Sequence, residues 1–206
     1  MKIGVLGTGM VGSAIASRLA TLGHDVMMGS RTANNPKAIA WTKEVGARGH
    51  AGTFAETATF GEMLFNCTHG TSSLEALSAA GAKSLDGKVV VDVANVLPPH
   101  ERGAESLGEQ IQKAFPQAKV VKTLNTINCE LMVNPQKLSD SHTLFLSGND
   151  ERAKTAVRGL LESFGWRDIL DLGDISTARA TEAYLPLWLA ACKTLGTITF
   201  NIKLVR

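Results

Sequence analysis

A chain of 206 residues has room for one domain of ordinary size. Its formal net charge is only +2, and no basic block interleaved with aromatic residues is present, which argues against a nucleic-acid partner. No apolar run approaches the length needed to span a bilayer. Because the first apolar run begins at Ile3, we also expect no signal segment before it.

The cysteines indicate the redox environment. Cys67, Cys129 and Cys192 are odd in number, far apart and without the C-x-x-C spacing of metal or redox motifs. This pattern predicts reduced thiols, a cytoplasmic location and no metal site. We expect the three side chains to be mostly small core residues.

The opening stretch, residues 1–32, predicts a strand, a glycine turn, a helix and a second strand. The apolar run Ile3–Leu6 precedes a G-x-G-x-x-G at residues 7–12. Apolar residues then recur at helical spacing as far as Leu22, and Gly23 lies where a helix C-cap glycine belongs. Residues 24–29 form a second strand pattern. This order is typical of a dinucleotide-binding βαβ unit.

Each glycine of this turn has a predicted role. Gly7 allows the chain to turn tightly after the strand, Gly9 lets a pyrophosphate approach the backbone, and Gly12 lets the helix pack close to the strands. The helix N-terminus offers free N–H groups and a partial positive charge to phosphate. The alternative is a structural turn that binds nothing, because glycine turns are common.

The end of the second strand indicates which cofactor is bound. NAD-binding units usually place a carboxylate there, whereas this chain has Ser30 and Arg31, and Asp25 lies at the opposite end of the strand. A charge-assisted bond from Arg31 to a 2′-phosphate would contribute about 1.5–3 kcal/mol, favouring NADPH over NADH roughly ten- to a hundredfold. Thr32 and Lys37 could add to this. The alternative is that Arg31 is a solvated loop residue.

The remainder of the chain alternates helices with strands. Helices are predicted at 36–45, 54–60, from Ser72 or Ser73 to 80, at 104–115, at 150–164, and from about 177 onward with a kink at Pro186. Strands are predicted at 63–68, 88–93, 119–124, 143–146 and 166–170, with a weak strand within 46–52, a break at Pro98–Pro99, and a strand or continued helix at 198–204. Such alternation predicts an α/β fold: a doubly wound, mostly parallel sheet covered on both faces.

Ligands of parallel sheets bind at the carboxyl ends of the strands, so we compared those ends. After the glycine turn and Ser30–Arg31, the later strands end in Thr68-His69-Gly70, in Ala94-Asn95 and in residues 125–128. Every one of these ends carries small or hydrogen-bonding residues. The sequence therefore predicts a nucleotide-binding crevice along this edge.

Hydride transfer requires few protein groups, and the candidates are correspondingly few. His69 is a candidate proton donor, since an imidazole can give and take protons near neutral pH, although it could instead bond ribose or backbone. Asn125, like Asn95 and Asn128, could orient a ligand amide or satisfy loop backbone. Asp92 could act as an acid or cap a loop.

The apolar stripe of residues 184–195 predicts a core or dimer-interface helix more readily than a substrate pocket. A homodimer would allow the stripe to be both.

At this point the residues resemble a known family. The glycine turn, the Leu22-Gly23-His24 turn, the Gly29-Ser30-Arg31 strand end and the segment 119–128 are similar to those of coenzyme F420-dependent NADP oxidoreductases, over the whole chain. The resemblance implies an NAD(P)-binding Rossmann fold over residues 1–206 as a single domain, usually dimeric. A small C-terminal helical extension, about 172–206, would close the cleft or form the dimer.

The resemblance also implies roles for individual residues. It assigns the pyrophosphate to Thr8, Gly9, Met10 and Val11, the 2′-phosphate to Ser30 and Arg31, and the nicotinamide and its ribose to Thr68, His69, Ala94 and Asn95. This chain has Asn125 where F420-using members tend to have His, and Thr68-His69 where they have Ile-Pro.

Two functions therefore follow. The first is an NADP(H)-dependent oxidoreductase that passes hydride between NADPH and F420, a flavin or another small acceptor. The second, suggested by the lack of an obvious acid–base pair, is a non-catalytic NADP(H)-binding module for redox sensing or regulation.

Overall fold

The computed structural model describes residues 1–96 and 104–205. Within them the strands are β1 (Lys2–Leu6), β2 (Asp25–Ser30), β3 (Gly49–Thr53), β4 (Met63–Asn66), β5 (Val89–Asp92), β6 (Lys119–Thr123), β7 (Thr143–Gly148) and β8 (Asp168–Asp171). The α-helices are α1 (Met10–Thr21), α2 (Pro36–Val45), α3 (Phe54–Phe60), α4 (Ser73–Ala80), α5 (Ala82–Leu85), α6 (Leu107–Ala114), α7 (Cys129–Val133), α8 (Glu151–Phe164), α9 (Ala178–Ala183) and α10 (Leu185–Leu195). The predicted break at Pro98–Pro99 lies outside the described residues.

These strands form one sheet in the order β3-β2-β1-β4-β5-β6-β7-β8. All neighbours pair in parallel except β6 and β7, which are antiparallel. The chain leaves β1 toward β2 and β3, and then crosses back to β4. The gap between the carboxyl ends of β1 and β4 is therefore the topological switch point, where open α/β sheets bind their ligands. The predicted doubly wound, mostly parallel fold is confirmed.

Both faces of the sheet are buried, as the strand sequences predict. On β5, Val91 packs into the cluster that contains α1 and α8, while Val90 packs into the cluster that contains α4 and α6. Because successive side chains of a strand point to opposite faces, a run of apolar residues fills two cores at once. This arrangement fixes the register of the central strands and therefore the positions of their carboxyl ends.

Two predicted boundaries need correction. The helix predicted from residue 104 begins at Leu107, because the Ser106 side chain caps it and Glu109 completes a capping box. The strand predicted to end at Thr68 ends at Asn66, whose side chain accepts a hydrogen bond from the Thr68 hydroxyl. That local bond turns the chain away from the sheet.

The C-terminal part departs most from prediction. The single long helix expected from about residue 177 is interrupted at Tyr184, giving α9 and α10, because Pro186 lacks the N–H that a continuous helix needs. No residue of α10 is buried, so the prediction of a core helix is wrong. Residues 198–204 form neither a strand nor a helix, although the carbonyl of Ile202 accepts a hydrogen bond from the Thr143 N–H, 3.0 Å away.

Helix α9 is held against α6 by a bidentate ion pair. Arg179 Nε and Nη2 each lie 2.6 Å from a carboxylate oxygen of Glu109. The Arg179 hydrogen bonds, with those from Ser106, outweigh partial burial and lower the pKa of Glu109 from its ordinary 4.5 to about 2. The ionised carboxylate therefore holds the C-terminal segment against the sheet domain.

This pKa gives a pH-dependent contribution to stability. Because the folded-state pKa of Glu109 is depressed, its contribution is complete above pH 4.5 and is lost as the pH falls toward about 2. We expect Glu109→Gln to lower the melting temperature at pH 7, and we expect the gap from wild type to narrow as the pH falls through that window. Thermal unfolding from pH 7 to 2.5 measures this. Glu44→Gln, on exposed α2, is the control, and a gap that is independent of pH would contradict the assignment.

Candidate cofactor and acceptor site

The glycine turn after β1 has the geometry that its sequence predicts. Gly7 has φ +118°, and a Cβ there would lie 2.6 Å from the Cys67 carbonyl oxygen. A Cβ on Gly12 would lie 2.2 Å from the Gly7 carbonyl oxygen. A Cβ on Gly9, by contrast, would meet no atom within 4 Å. Two glycines are therefore required by packing, and the third leaves open space at the start of α1.

A first cavity of about 450 Å³ opens on one side of this turn. It extends from the turn across the ends of β2 and β4 to the first residues of α3 and α4. The lining residues are Gly7, Thr8, Gly9, Ser30, Arg31, Thr32, Asn35, Thr53, Phe54, Ala55, Cys67, Thr68, His69, Ser72, Glu75, Ala76 and Ala79. Its volume lies within the range of small-molecule sites.

Ser30 and Arg31 both line the first cavity, but the Ser30 side chain is fixed by a hydrogen bond and the Arg31 side chain is not. The buried Ser30 hydroxyl donates to the Thr32 carbonyl at 2.6 Å, which fixes the loop after β2. The Arg31 side chain is 72% exposed, and its Nε lies 3.8 Å from a carboxylate oxygen of Glu75. An exposed pair at this distance contributes little, so the guanidinium is free to take another anionic partner.

Lys37 does not line the first cavity. It lies in a third cavity, of about 530 Å³, on the α1–α2 side of the glycine turn, together with Trp41 and Glu44. The structure therefore does not bring Lys37 together with Ser30 and Arg31. Gly12 lines no cavity among those described, because it is packed against the turn itself.

A second cavity, of about 510 Å³, lies beyond the switch point. It runs from the glycine turn past the ends of β4, β5 and β6 to the C-terminal segment. The lining residues are Gly9, Met10, Val11, Cys67, Thr68, His69, Val93, Ala94, Asn95, Asn125, Thr126, Ile127, Asn128, Cys129, Met132, Tyr184, Leu185, Trp188 and Ile198. The strand ends singled out in the sequence thus converge on two adjoining cavities.

His69 borders both cavities. Its ring is exposed, and Nδ1 lies 2.9 Å from the Thr71 hydroxyl. The neighbouring Thr68 hydroxyl donates to Asn66 Oδ1 at 2.7 Å. Nε2 of His69 is the ring nitrogen outside this pairing, so the imidazole is oriented while one nitrogen can still face a ligand.

Two hydrogen bonds join Asn95 and Asn125 in the wall of the second cavity. Asn125 Nδ2 donates to Asn95 Oδ1 at 3.0 Å, and Asn95 Nδ2 donates to the Asn125 carbonyl at 2.6 Å. Between β6 and Asn125, Leu124 has φ +64°, which non-glycine residues adopt at an energetic cost. The amide pair fixes the β6 loop on the cavity wall.

The other two polar candidates have structural roles. The side chain of Asn128 accepts from the Glu130 and Leu131 N–H groups, so it caps α7, and it also donates to the Ile198 carbonyl. Asp92 is fully buried and accepts from the Ala94 N–H, as the loop-capping interpretation predicts. Asp92 is therefore not positioned as a free acid, and the Asn128 amide is already occupied.

Asp92 is also part of a buried ionic cluster that the sequence analysis missed. Lys122 Nζ lies 2.7 Å from Asp92 Oδ2, 2.9 Å from Glu182 Oε1 and 2.6 Å from the Ala94 carbonyl. The Lys122 and Asp92 side chains are completely buried. Glu182 in turn accepts the Leu107 and Gly108 N–H groups at the start of α6. The cluster therefore ties β5, β6, α6 and α9 together beneath the second cavity.

The charge on Lys122 is maintained by its partners. Burial opposes the charged form, but the attraction and hydrogen bonds of Asp92 and Glu182 outweigh burial and raise the pKa of Lys122. Burial, with the Asp92 charge nearby, raises the pKa of the Cys67 thiol far above its ordinary range. Cys67 is therefore an inert part of the wall, as expected for a small core residue.

The resemblance implied a C-terminal part that closes the cleft, but the stripe of residues 184–195 was predicted to be core or dimer interface more readily than the wall of the second cavity. Tyr184 and Trp188 lie one helical turn apart, and the Trp188 ring stacks on Phe200 with centroids 5.4 Å apart. Burial raises the pKa of the Tyr184 hydroxyl. The apolar period of residues 184–195 was visible in the sequence, but a pocket wall and a packed core give the same period.

Cys67, Cys129 and Cys192 are all free, and no cluster of metal-ligating side chains occurs within residues 1–96 and 104–205. Every helix in that described part of the chain is too short or too polar to cross a lipid bilayer.

Comparison with known proteins identifies the family of this chain. The family model for NADP oxidoreductase, coenzyme F420-dependent, matches residues 2–96, which include the glycine turn and the ends of β2, β4 and β5. A crystal structure of a candidate F420-dependent NADP-reductase from Arthrobacter sp. FB24 is 47% identical, with all of both chains aligned and a TM-score of 0.92. The fold and these matches define an NADP-dependent oxidoreductase of the Rossmann type. The chain belongs to the family of coenzyme F420-dependent NADP oxidoreductases.

More distant relatives are named for other reductive reactions. The metalloreductase STEAP3 of Rattus norvegicus is 32% identical over 196 residues, which are 91% of this chain and 38% of the relative. The chain thus spans about two fifths of the length of the curated relatives it matches. A reductive aminase from Aspergillus terreus, solved with NADPH4, cyclohexanone and allyl amine, is 21% identical, aligns over 95% of this chain and 62% of its own, and has a TM-score of 0.70. That likeness shows a shared fold.

The glycine geometry predicts opposite effects at two positions. The backbone of Gly9 is extended, a conformation that valine adopts, and the space beside it is open. We expect Gly9→Val to leave the melting temperature nearly unchanged and to weaken NADPH binding at least about tenfold, because its methyl groups fill the space that a pyrophosphate would need. We expect Gly12→Ala to destabilise the fold by about 1–3 kcal/mol, through its clash with Gly7. Calorimetric titration and thermal unfolding measure the two effects, and unimpaired NADPH binding by Gly9→Val would contradict the first.

The ionic cluster predicts a large cost for removing its cation. We expect Lys122→Met to destabilise the protein by about 3–5 kcal/mol, because Asp92 and Glu182 would remain buried without their cation. The matched control is Lys119→Met, on the same strand, where a partly exposed Lys119 lies 3.5 Å from Asp150. Its loss should cost about 0–1 kcal/mol. Urea unfolding measures both, and equal costs would rule out the special role of Lys122.

Proposed function

We propose that NADPH lies across the carboxyl edge of the sheet, with its adenosine end in the first cavity and its nicotinamide in the second. The observation that carries this proposal is the junction between the two cavities. Both are bordered by Gly9, Thr68 and His69, at the topological switch point, and the junction lies beside the open space over Gly9. An extended dinucleotide needs two adjoining cavities with a pyrophosphate crossing between them.

Within the first cavity, the 2′-phosphate is proposed to bind at the end of β2. Arg31 provides the guanidinium, and its weak, exposed pairing with Glu75 is readily exchanged for a phosphate. Ser30 holds the loop through Thr32, so its contribution is to shape the site and to offer backbone groups. The pyrophosphate faces the turn of residues 7–12, including Thr8, Met10 and Val11.

Within the second cavity, Thr68, His69, Ala94 and Asn95 are proposed to border the nicotinamide and its ribose. NADPH supplies the hydride, and the residues of the chain hold donor and acceptor at about 3–3.5 Å in a cleft with little water. The amide pair of Asn95 and Asn125 keeps this wall in place. His69 is proposed to relay a proton between solvent and the acceptor, since its ring is exposed and oriented by Thr71.

The hydride acceptor is proposed to lie between the nicotinamide and the C-terminal wall of Tyr184, Leu185 and Trp188. F420, a flavin or another small acceptor could occupy this position. Residues 172–206 then act as the closing part of one NADP-binding domain. We further propose a homodimer, because α10 exposes Leu187, Leu189 and Leu195 on the surface.

The test measures NADPH binding and oxidation together. We expect the wild type to oxidise NADPH in the presence of at least one of F420, FMN and simple quinones. Arg31→Asp should weaken NADPH binding roughly ten- to a hundredfold more than NADH binding, because a carboxylate there repels the 2′-phosphate. Calorimetry with both nucleotides and absorbance at the NADPH band provide the measurements.

Arg48→Asp is the matched control, because Arg48 pairs with Asp25 at the opposite end of β2. This variant should leave the ratio of NADPH to NADH affinity unchanged. An equal loss of both nucleotides in Arg31→Asp would remove the 2′-phosphate assignment, and tight NADPH binding without turnover on any acceptor would remove the reductase function.

A further inference from the structure

The second cavity differs from the first in its charge. Arg31 and Glu75 line the first cavity, whereas the described lining of the second includes no lysine, arginine, aspartate or glutamate. The Lys122 cation beneath it is fully buried and already satisfied by two carboxylates and a carbonyl. An anionic group entering this cavity would lose water without gaining a cation, which is strongly unfavourable.

The wall far from the glycine turn is apolar but carries two unsatisfied polar atoms. Trp188 Nε1 and Thr126 Oγ1 are buried and have no hydrogen-bond partner among the described residues. Thr126 is only 4% exposed, and both residues line the second cavity. An indole N–H can only donate a hydrogen bond. Since buried polar groups are normally paired, a small shift of this wall on binding would let either atom donate to a ligand acceptor such as a carbonyl oxygen.

We infer that the acceptor taken by this chain is a compact, uncharged conjugated carbonyl compound of the quinone type, whose carbonyl oxygens can accept a hydrogen bond from Trp188 or from Thr126. This inference rests on the proposed function and narrows its acceptor. The cavity of about 510 Å³ must also hold the nicotinamide, which favours a compact ring over a long tailed coenzyme. Leu185, Ile198 and Met132 supply the apolar surface that such a ring buries.

The reaction balances without a further reactant. A hydride, carrying two electrons, leaves NADPH for the conjugated ring system of the quinone, and the oxygen that gains the electron pair takes one proton from water. The products are NADP⁺ and the hydroquinone. His69, at the border of the cavity, is positioned to pass that proton from solvent.

The charge preference is tested with one matched pair of acceptors, 1,4-naphthoquinone-2-carboxylate and its methyl ester. They share a ring and differ in charge and, because an ester withdraws electrons more strongly than a carboxylate, in reduction potential, so the rate ratio is divided by the ratio of the uncatalysed rates with NADPH. With the wild type, we expect this corrected kcat/KM for the ester to exceed that for the carboxylate at least about tenfold, because the described lining offers the anion no cation. A carboxylate used as well as or better than the ester would overturn the inference.

Two variants that each add one lysine to the C-terminal helices sharpen the test. Leu185→Lys places a cation in the cavity wall and should reduce the preference for the ester by about tenfold. Ala183→Lys adds the same charge at an exposed position of α9 that lines no cavity among those described and lies outside the proposed dimer surface, so it should keep the wild-type preference. The same change in both variants would show that the effect is general electrostatics, and would count against the inference.

Binding separates failure of this inference from failure of the proposed function. Calorimetric titration of the protein loaded with tetrahydro-NADPH, whose ring is uncharged and donates no hydride, should show the ester binding at least about tenfold more tightly than the carboxylate, and Trp188→Phe, which lacks the N–H donor, should weaken the binding of both compounds. If the ester binds selectively but neither compound is reduced, the reductase function fails and the neutral site stands. If NADPH reduces the carboxylate preferentially, the function stands and the neutral site fails.

Discussion

The ammonium group of Lys122 is the constraint on which the site depends. A completely buried cation is tolerated only when its partners replace the water it loses, and here two carboxylates and a backbone carbonyl do so. Its partners come from β5 and α9, and Glu182 extends the cluster to the N-terminus of α6. A change in any one of these elements would leave a buried charge unmatched.

The cluster also organises the ends of the central strands. Asp92, while bound to Lys122, accepts from Asn66 Nδ2 at 2.8 Å, and Asn66 in turn accepts from the Thr68 hydroxyl. A continuous series of ion pairs and hydrogen bonds therefore runs from α9 to the loop that carries His69. In this way the interior of the sheet determines where groups on two cavity walls lie, although the cluster itself lines neither cavity.

The sequence predicted the features that local chemistry determines. Glycine spacing and helical period depend on near neighbours, so the βαβ unit, α2 and α3 appear where predicted, and the caps that the structure adds at Asn35 and Thr53 act over the same short range. Lys122 could not be recognised as buried, because its partners lie 30 and 60 residues away and a lysine in a strand is usually solvated. The position of Trp188 in the cavity wall could not be recognised either, because the strand ends that form the rest of that cavity lie far away in sequence.

The border shared by the two cavities has a thermodynamic consequence. Four residues line both cavities: Gly9, Cys67, Thr68 and His69. A group bound in either cavity therefore contacts the same residues. If an occupant of one cavity shifts that common wall, the affinity for an occupant of the other changes with it. Linkage then requires the change to be reciprocal and equal in free energy.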